Sequence, residues 1–321
     1  MQPGQAAPAR LGFVTRYDDL INRTRAGETI LIDGATGSES IRRGAPPLPN
    51  GWSGGAVLSH PDAVREIHAD YIDLGAAVVV ANTFATGQNV LRDAGVPETF
   101  EEVNRRAVEL ALDARAASDG AADDVVVAAG VSNWSFSGDR PGLGTLCDDT
   151  ARQAAMFAAA GAELLILEMM VDIPRMTATL DGVATVDLPV WVGFSLGPEE
   201  GCEPDEIGDP VELQEGDLLR DAVAVAREYP NVDAMVIMHS DVRVTERGIE
   251  ALRAEYDGPI GAWAHAAGAE GDEIVFDDVI TPEEYVAYVP AWRAAGATLI
   301  GGCCGIGPEH IRAIVATGAL D

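Results

Sequence analysis

The chain has 321 residues, 47% of them hydrophobic, and a formal net charge of −31. Such an acidic surface repels nucleic acids and anionic lipid headgroups, so we expect neither as a partner. All of its cationic side chains apart from histidine are arginines, and we read this composition as adaptation to salt or GC-rich codon usage rather than as a clue to the substrate.

The first ten residues are rich in Pro, Ala and Gln and do not resemble a signal peptide. No apolar run is long enough to cross a bilayer. Four cysteines in a chain of this length do not make a disulfide scaffold. We therefore expect a cytoplasmic protein with reduced thiols, and leave homo-oligomer formation open.

Short apolar runs alternate with longer amphipathic patterns along the whole chain. The apolar runs predict buried strands and the amphipathic patterns predict helices. Predicted strands lie at residues 29–33, 77–81, 125–129, 163–167, 189–195, 233–238, 259–264 and 299–300. Predicted helices lie at residues 60–74, 100–118, 148–160, 172–182, 216–228, 243–255, 282–295 and 308–317.

Eight strand–helix pairs with continuously apolar strands predict a parallel sheet covered by helices. Closed on itself, such a sheet is a single (β/α)8 TIM barrel of class α/β, with decorated βα loops. The alternative is a doubly wound open sheet, but neither glycine-rich phosphate-binding motif is present. We expect residues 1–28 to form an N-terminal extension that packs on the barrel and residues 29–321 to form the barrel itself.

In a TIM barrel the active site lies at the carboxyl ends of the strands. The residues that end the predicted strands are Asp33, Asn82 and Thr83, Ser132, Glu168, Ser195, His239, His265, and the pair Cys303 and Cys304. A single polar residue at a strand end is explained equally well as a helix cap. Two carboxylates, two imidazoles and two thiols on one face are harder to explain in that way.

The adjacent Cys303 and Cys304 follow two glycines, and neighbouring cysteines rarely form a disulfide with each other. Two thiolates aimed at one point suit Zn²⁺, although free cysteines also pack as small apolar residues. His239 directly follows its strand and is the preferred third ligand, with His265 as the alternative. Cys147 and Cys202 are interpreted as inert loop residues.

An open zinc site could bind a substrate thiol, which is largely protonated at neutral pH, as a thiolate and orient it to attack a methyl group. The motifs in the chain support this interpretation. Residues 33–37 (DGATG), 68–71 (HADY), 82–84 (NTF) and above all 301–311 (GGCCGIGPEHI) resemble the homocysteine S-methyltransferase family in order and spacing.

The resemblance implies a (β/α)8 barrel with catalytic Zn²⁺ that transfers a methyl group to homocysteine and gives methionine, in methionine biosynthesis. The donors in the family are betaine, S-methylmethionine and methylfolate. Cys303 and Cys304 would bind zinc, Asp33 and Glu168 would hold the substrate ammonium group, and Thr83 would lie near the substrate.

Three positions depart from the family pattern. His239 stands where the family has its third zinc cysteine, residues 130–135 (GVSNWS) replace a conserved turn, and Met169 replaces a threonine. Because two thiolates and one imidazole leave the site with zero net charge, we expect a cationic sulfonium or ammonium donor. Trp52, Trp134 and Phe136 could provide cation–π contacts for it, or could simply pack the loops.

Two other functions remain open at this point. The same barrel could methylate a different thiol, or it could bind zinc without catalysing transfer. In the leading reading the partners are a small-molecule thiol and a small-molecule methyl donor.

Overall fold

The computed structural model describes residues 15–118, 121–197, 208–265, 268–270, 273–275 and 280–320. The strands are β1 (Ile30–Leu31), β2 (Val78–Ala81), β3 (Val126–Ser132), β4 (Leu164–Met170), β5 (Val190–Phe194), β6 (Val232–Asp241), β7 (Ile260–His265), β8 (Gly268–Glu270), β9 (Glu273–Val275) and β10 (Leu299–Ile300). The helices are α1 (Arg16–Arg25), α2 (Thr36–Arg42), α3 (Ala56–Ser59), α4 (Pro61–Asp73), α5 (Gln88–Asp93), α6 (Phe100–Ala117), α7 (Leu143–Ala160), α8 (Ile173–Val183), α9 (Leu219–Ala226), α10 (Val242–Glu255), α11 (Pro282–Ala294) and α12 (Pro308–Thr317).

The large sheet is entirely parallel and runs in the order β1, β10, β7, β6, β5, β4, β3, β2. Its two outer strands meet, because a parallel bridge joins Ile32 to Val78 and the Asp33 amide donates to the Val78 carbonyl at 3.0 Å. The sheet therefore closes into the predicted (β/α)8 TIM barrel, which is confirmed. The strands β8 and β9 form a separate antiparallel hairpin.

Alternating strand residues fill the barrel interior, as the two-residue period of a strand requires. The interior cluster includes Ile30, Ile32, Val78, Val80, Val126, Ala128, Leu164, Ile166, Trp191, Ala234, Val236, Met238, Trp263 and Leu299. The remaining strand residues face outward and pack against the helices in the larger core. Most residues on both faces of the eight barrel strands are thus buried, which explains the continuously apolar runs.

Helix α1 covers the amino-terminal end of the barrel. Its Tyr17, Leu20 and Ile21 are buried in the interior cluster, and the Trp191 indole N–H donates to the Tyr17 hydroxyl at 3.1 Å. A capping box at Thr15 and Asp18 begins the helix, and Arg16 pairs with Glu163 at 3.2 Å.

The predicted strands and helices occur close to their expected positions, and the differences lie in the connections. The helices α1, α2, α3 and α5 and the hairpin of β8 and β9 were not predicted. Helix α7 begins at Leu143, so Cys147 lies in its first turns and not in a loop, whereas Cys202 lies outside the described residues. Across the described part of the chain, no helix combines the length and apolar character needed to span a membrane.

Candidate functional site

Irregular backbone at the carboxyl ends of β4 and β6 shapes the site. The pairing register shifts between Leu167 and Met170 in β4 and between Met238 and Asp241 in β6. Met169 and His239 lie inside these shifts with positive φ angles of 56° and 43°. Bulges of this kind redirect side chains at barrel rims, and the one in β6 contains His239.

His239, Cys303 and Cys304 form one cluster. The His239 Nδ1 atom lies 3.7 Å from the Cys303 sulfur, and the two sulfurs lie 3.9 Å apart. Donor atoms from the three residues all lie within 4.8 Å of one another, so the cluster could hold a metal ion. These residues come from β6 and from the turn after β10, and the structure brings them together as the preferred ligand set requires.

The cysteine turn is held by the neighbouring backbone. The Cys303 amide donates to the Ala264 carbonyl at 2.8 Å, and the Trp263 indole N–H donates to the Gly302 carbonyl at 2.6 Å. A Cβ atom on Gly302 would lie 2.1 Å from a methyl carbon of Ile306, so only glycine fits there. The turn is therefore positioned by β7 before any ligand binds.

The donor set suits a thiophilic ion. A hydrogen bond from the Cys303 thiol lowers the pKa of the Cys304 thiol, and His239 acts in the same direction. Two sulfurs and one imidazole nitrogen match the ligands that Zn²⁺ takes, and three protein ligands leave a position for a substrate, as in catalytic zinc sites.

His265, the alternative ligand, lies against His239. The Nδ1 atoms of the two rings are 3.3 Å apart, and the rings meet edge to face with centroids 4.4 Å apart. Burial and the neighbouring His239 lower the pKa of His265 to about 3, so its ring is neutral. His265 does not belong to the cluster of three donors within 4.8 Å.

Asp33 is fully buried at the end of β1. Its Oδ2 atom accepts a hydrogen bond from the Val80 amide at 2.7 Å, whereas Oδ1 has no partner among the described residues. Burial raises the pKa of this carboxyl group, and the nearby Glu168 carboxylate adds to the effect. A buried carboxylate oxygen without a hydrogen bond is costly in free energy, and binding a cationic group would remove that cost.

Glu168 lies over the backbone of Gly130 on the neighbouring strand. A Cβ atom on Gly130 would lie 1.6 Å from the Glu168 Oε1 atom, so the carboxylate occupies the space of the missing side chain. Burial, together with the Cys304 thiol, raises the pKa of Glu168 to about 8. A glycine inside an apolar strand marks such a close approach, and this signal was missed in the sequence.

The Thr83 hydroxyl contacts the same glycine. It donates to the Gly130 carbonyl at 2.8 Å and accepts from the Gly130 amide at 2.9 Å. Both of its hydrogen-bonding roles are therefore used within the protein, and Thr83 fixes the backbone beneath Glu168.

Three aromatic rings form a cluster, one of which, Trp52, lies against Gly37 in the first turn of α2. Trp52 lies 5.9 Å from Phe84 and 6.3 Å from Phe136 between ring centroids, and the two phenylalanines lie 6.2 Å apart. The Trp52 indole nitrogen is buried with no partner among the described residues. The sequence did not predict Phe84 as part of this cluster. Trp134 lies outside it, beneath Arg140, whose Cζ atom is 5.8 Å from the centroid of the Trp134 ring.

Known proteins resemble this chain over nearly its full length. A sequence model of the homocysteine S-methyltransferase family matches residues 30–317. Homocysteine S-methyltransferase 2 of Zea mays is 28% identical, with 91% of this chain and 90% of the relative covered. Selenocysteine Se-methyltransferase of Brassica oleracea var. italica is also 28% identical, with 90% and 88% covered.

A solved structure has the same fold. The metallated form of the homocysteine methyltransferase MmuM from Escherichia coli superimposes with a TM-score of 0.76 at 24% identity, covering 94% of this chain and 100% of that one.

Proposed function

The chain belongs to the homocysteine S-methyltransferase family, and we propose that it transfers a methyl group from a small onium donor to the thiol of L-homocysteine, giving methionine. The observation that carries this proposal is the set of His239, Cys303 and Cys304 at the carboxyl ends of the barrel strands, beside two buried carboxyl groups.

His239, Cys303 and Cys304 would hold a zinc ion. When bound, zinc would stabilise the substrate sulfur as a thiolate at neutral pH and so make it a nucleophile. The turn that carries the two cysteines is hydrogen-bonded to β7, which would fix the direction from which the substrate sulfur is held. Precise placement of two reactants contributes a large part of the rate of such a transfer.

Asp33 and Glu168 would bind the ammonium group of homocysteine. The unpaired Asp33 Oδ1 atom and the buried Glu168 carboxyl group would supply negative charge to a bound cation in a site from which water is largely excluded. Their raised pKa values would fall on binding a cation, because an opposite charge favours the ionised form. Hydrogen bonds between charged groups are the stronger ones, so this pair would select amino-acid substrates.

An onium donor is favoured by charge and by the aromatic cluster of Trp52, Phe84 and Phe136. One neutral imidazole and two thiolates cancel the two charges of zinc, so a substrate thiolate brings the site to −1 and a cationic donor restores neutrality. Aromatic faces attract such cations. S-Methylmethionine, betaine, a dimethylsulfonio acid and methylfolate assayed side by side decide the matter, and exclusive use of methylfolate would refute the onium donor.

The metal site is tested by comparing the wild type with His239→Ala. We expect the variant to lose bound metal, measured by elemental analysis, together with methionine formation. His60→Ala removes an imidazole at the start of α4 and serves as the matched control. Unchanged metal content and activity in His239→Ala would remove His239 from the site.

A second acceptor is suggested by the relative named selenocysteine Se-methyltransferase. The same site could methylate a selenol or another thiol, since the loop after β3 departs from the family pattern. Measured kcat/KM values for homocysteine, selenocysteine and a mercaptoalkanoate under one donor would rank the acceptors. A protein that binds zinc but turns over none of them would be a binding barrel instead. As an enzyme of methionine biosynthesis it would act in the cytoplasm.

A further inference from the structure

His265 has no role in the site described so far, although it contacts a proposed metal ligand. Its Nδ1 atom lies 3.3 Å from the His239 Nδ1 atom. Two imidazole nitrogens at this distance share either a proton or a cation. The same His239 nitrogen also faces the Cys303 sulfur at 3.7 Å, so a cation shared by the two rings would be the one that the cysteines bind.

Three of the distances between donor atoms match those of a tetrahedral four-ligand site. With Zn–N bonds of about 2.05 Å and Zn–S bonds of about 2.3 Å, tetrahedral geometry separates two nitrogens by about 3.3 Å, nitrogen and sulfur by about 3.6 Å, and two sulfurs by about 3.8 Å. The observed separations are 3.3 Å between the histidines, 3.7 Å between His239 and Cys303, and 3.9 Å between the cysteines. One example of each kind of edge is therefore present.

The backbone also brings His265 beside the cysteines. The residue before it, Ala264, accepts a hydrogen bond from the Cys303 amide at 2.8 Å. His265 pairs with Asp241 across the bulge in β6, which keeps it next to His239 as well. The backbone of His265 therefore lies next to His239 on one side and next to the turn that carries Cys303 on the other.

We propose that His265 is a fourth, displaceable ligand that occupies the metal position later taken by the substrate sulfur. This inference rests on the proposed metal site. His265 lies outside the set of three donors within 4.8 Å of one another, so its ring must turn toward the sulfurs to complete the tetrahedron. Three ligands are assembled without His265, and the fourth is therefore the one that leaves.

The exchange has a definite balance. The imidazole of His265 would leave the metal, the substrate thiol would lose its proton to solvent, and the resulting thiolate would take the vacated position. The substrate-free site would then have a complete set of protein ligands, and the site would open only to a ligand that competes with an imidazole, as a thiolate does.

X-ray absorption at the zinc edge tests this proposal, because imidazole rings give a characteristic multiple-scattering signal that can be counted. For the zinc-loaded wild type without substrate we expect two sulfurs and two imidazoles. After addition of homocysteine we expect three sulfurs and one imidazole. His265→Ala without substrate should show two sulfurs, one imidazole and one oxygen, and with homocysteine it should match the wild type.

A single imidazole in the substrate-free wild type would overturn the proposal and leave His265 as a hydrogen-bonding neighbour of His239. Two imidazoles in both the wild type and His265→Ala would also overturn it, as would failure of the wild type to bind zinc. His265→Asn provides a second variant if His265→Ala does not fold, and His60→Ala should match the wild type. The ligand count is independent of turnover, so a wild type with two imidazoles but no methionine formation would refute the proposed function and not this inference.

Discussion

Replacing Gly130 with alanine tests the position assigned to the Glu168 carboxylate. The added methyl group would lie 1.6 Å from Glu168 Oε1, and the carboxylate must retreat by about 1.4 Å to reach even 3.0 Å. A displacement of this size would break the hydrogen bond that we propose between Glu168 and the substrate ammonium group. Such a bond between charged groups is worth about 1.5–3 kcal/mol, or about a 10- to 150-fold change.

We therefore expect Gly130→Ala to lower kcat/KM for homocysteine by about 10- to 100-fold, mainly through a higher KM. The assay measures methionine formation over a range of homocysteine concentrations at saturating donor. Gly144→Ala is the matched control, because a Cβ atom there has no heavy atom within 4 Å in the first turn of α7. It should leave kinetics unchanged.

A double variant separates displacement of the carboxylate from general damage to β3. Shortening the acid by one methylene in Gly130→Ala/Glu168→Asp vacates the space that the new methyl group needs. We expect this variant to regain part of the lost kcat/KM. A Gly130→Ala enzyme with kcat/KM within twofold of Gly144→Ala would show that the carboxylate does not bind the substrate from this position.

Three further predictions follow from charge and burial. Burial lowers the pKa of fully buried His68 to about 4, so between about pH 6.5 and 4 only the unfolded chain binds a proton at this histidine. Acidification across that window should lower the free energy of unfolding by about 3 kcal/mol. Urea titrations at several pH values should show a flatter pH profile for His68→Leu than for the wild type. Binding of homoserine, which lacks the thiol, should release protons at pH 7, because its ammonium group would lower the pKa of Glu168 from about 8. Calorimetry in two buffers of different ionisation enthalpy measures this proton release. Equal release by Glu168→Gln would contradict the proposal that Glu168 binds the ammonium group. The net charge of −31 makes the folded chain repel itself. Raising NaCl from 0.1 to 1 M shortens the screening length from about 10 Å to about 3 Å, so the melting temperature should rise. A lower melting temperature in calorimetric scans would exclude self-repulsion as a major contribution to stability.

The barrel itself could be predicted because its strands are buried on both faces. Every strand then reads as an apolar run, and the order of runs and helical patterns fixes the topology. The carboxyl ends of the strands could also be predicted, which is why Asp33, Glu168, His239 and the cysteine pair were found together in the sequence. The connecting helix α2 was missed because it is only seven residues long and six of these residues are small or polar.

The geometry within the site could not be predicted, because it depends on backbone irregularities without a sequence signal. Met169 and His239 adopt positive φ angles although neither is a glycine, and nothing in the local pattern marks them. The aromatic cluster likewise joins Trp52, Phe84 and Phe136 from three separate loops, which only the closed barrel brings within contact.

The helix that covers the amino-terminal end of the barrel has a kinetic consequence. Because Tyr17 and Leu20 fill that end, the proposed acceptor and donor would both approach from the carboxyl ends of the strands, where the site residues lie. Both molecules would then be bound at the same rim when the methyl group is transferred directly from donor to acceptor. Initial-rate plots for the two reactants should accordingly intersect instead of running parallel, the pattern of a ternary complex and not of a methylated enzyme.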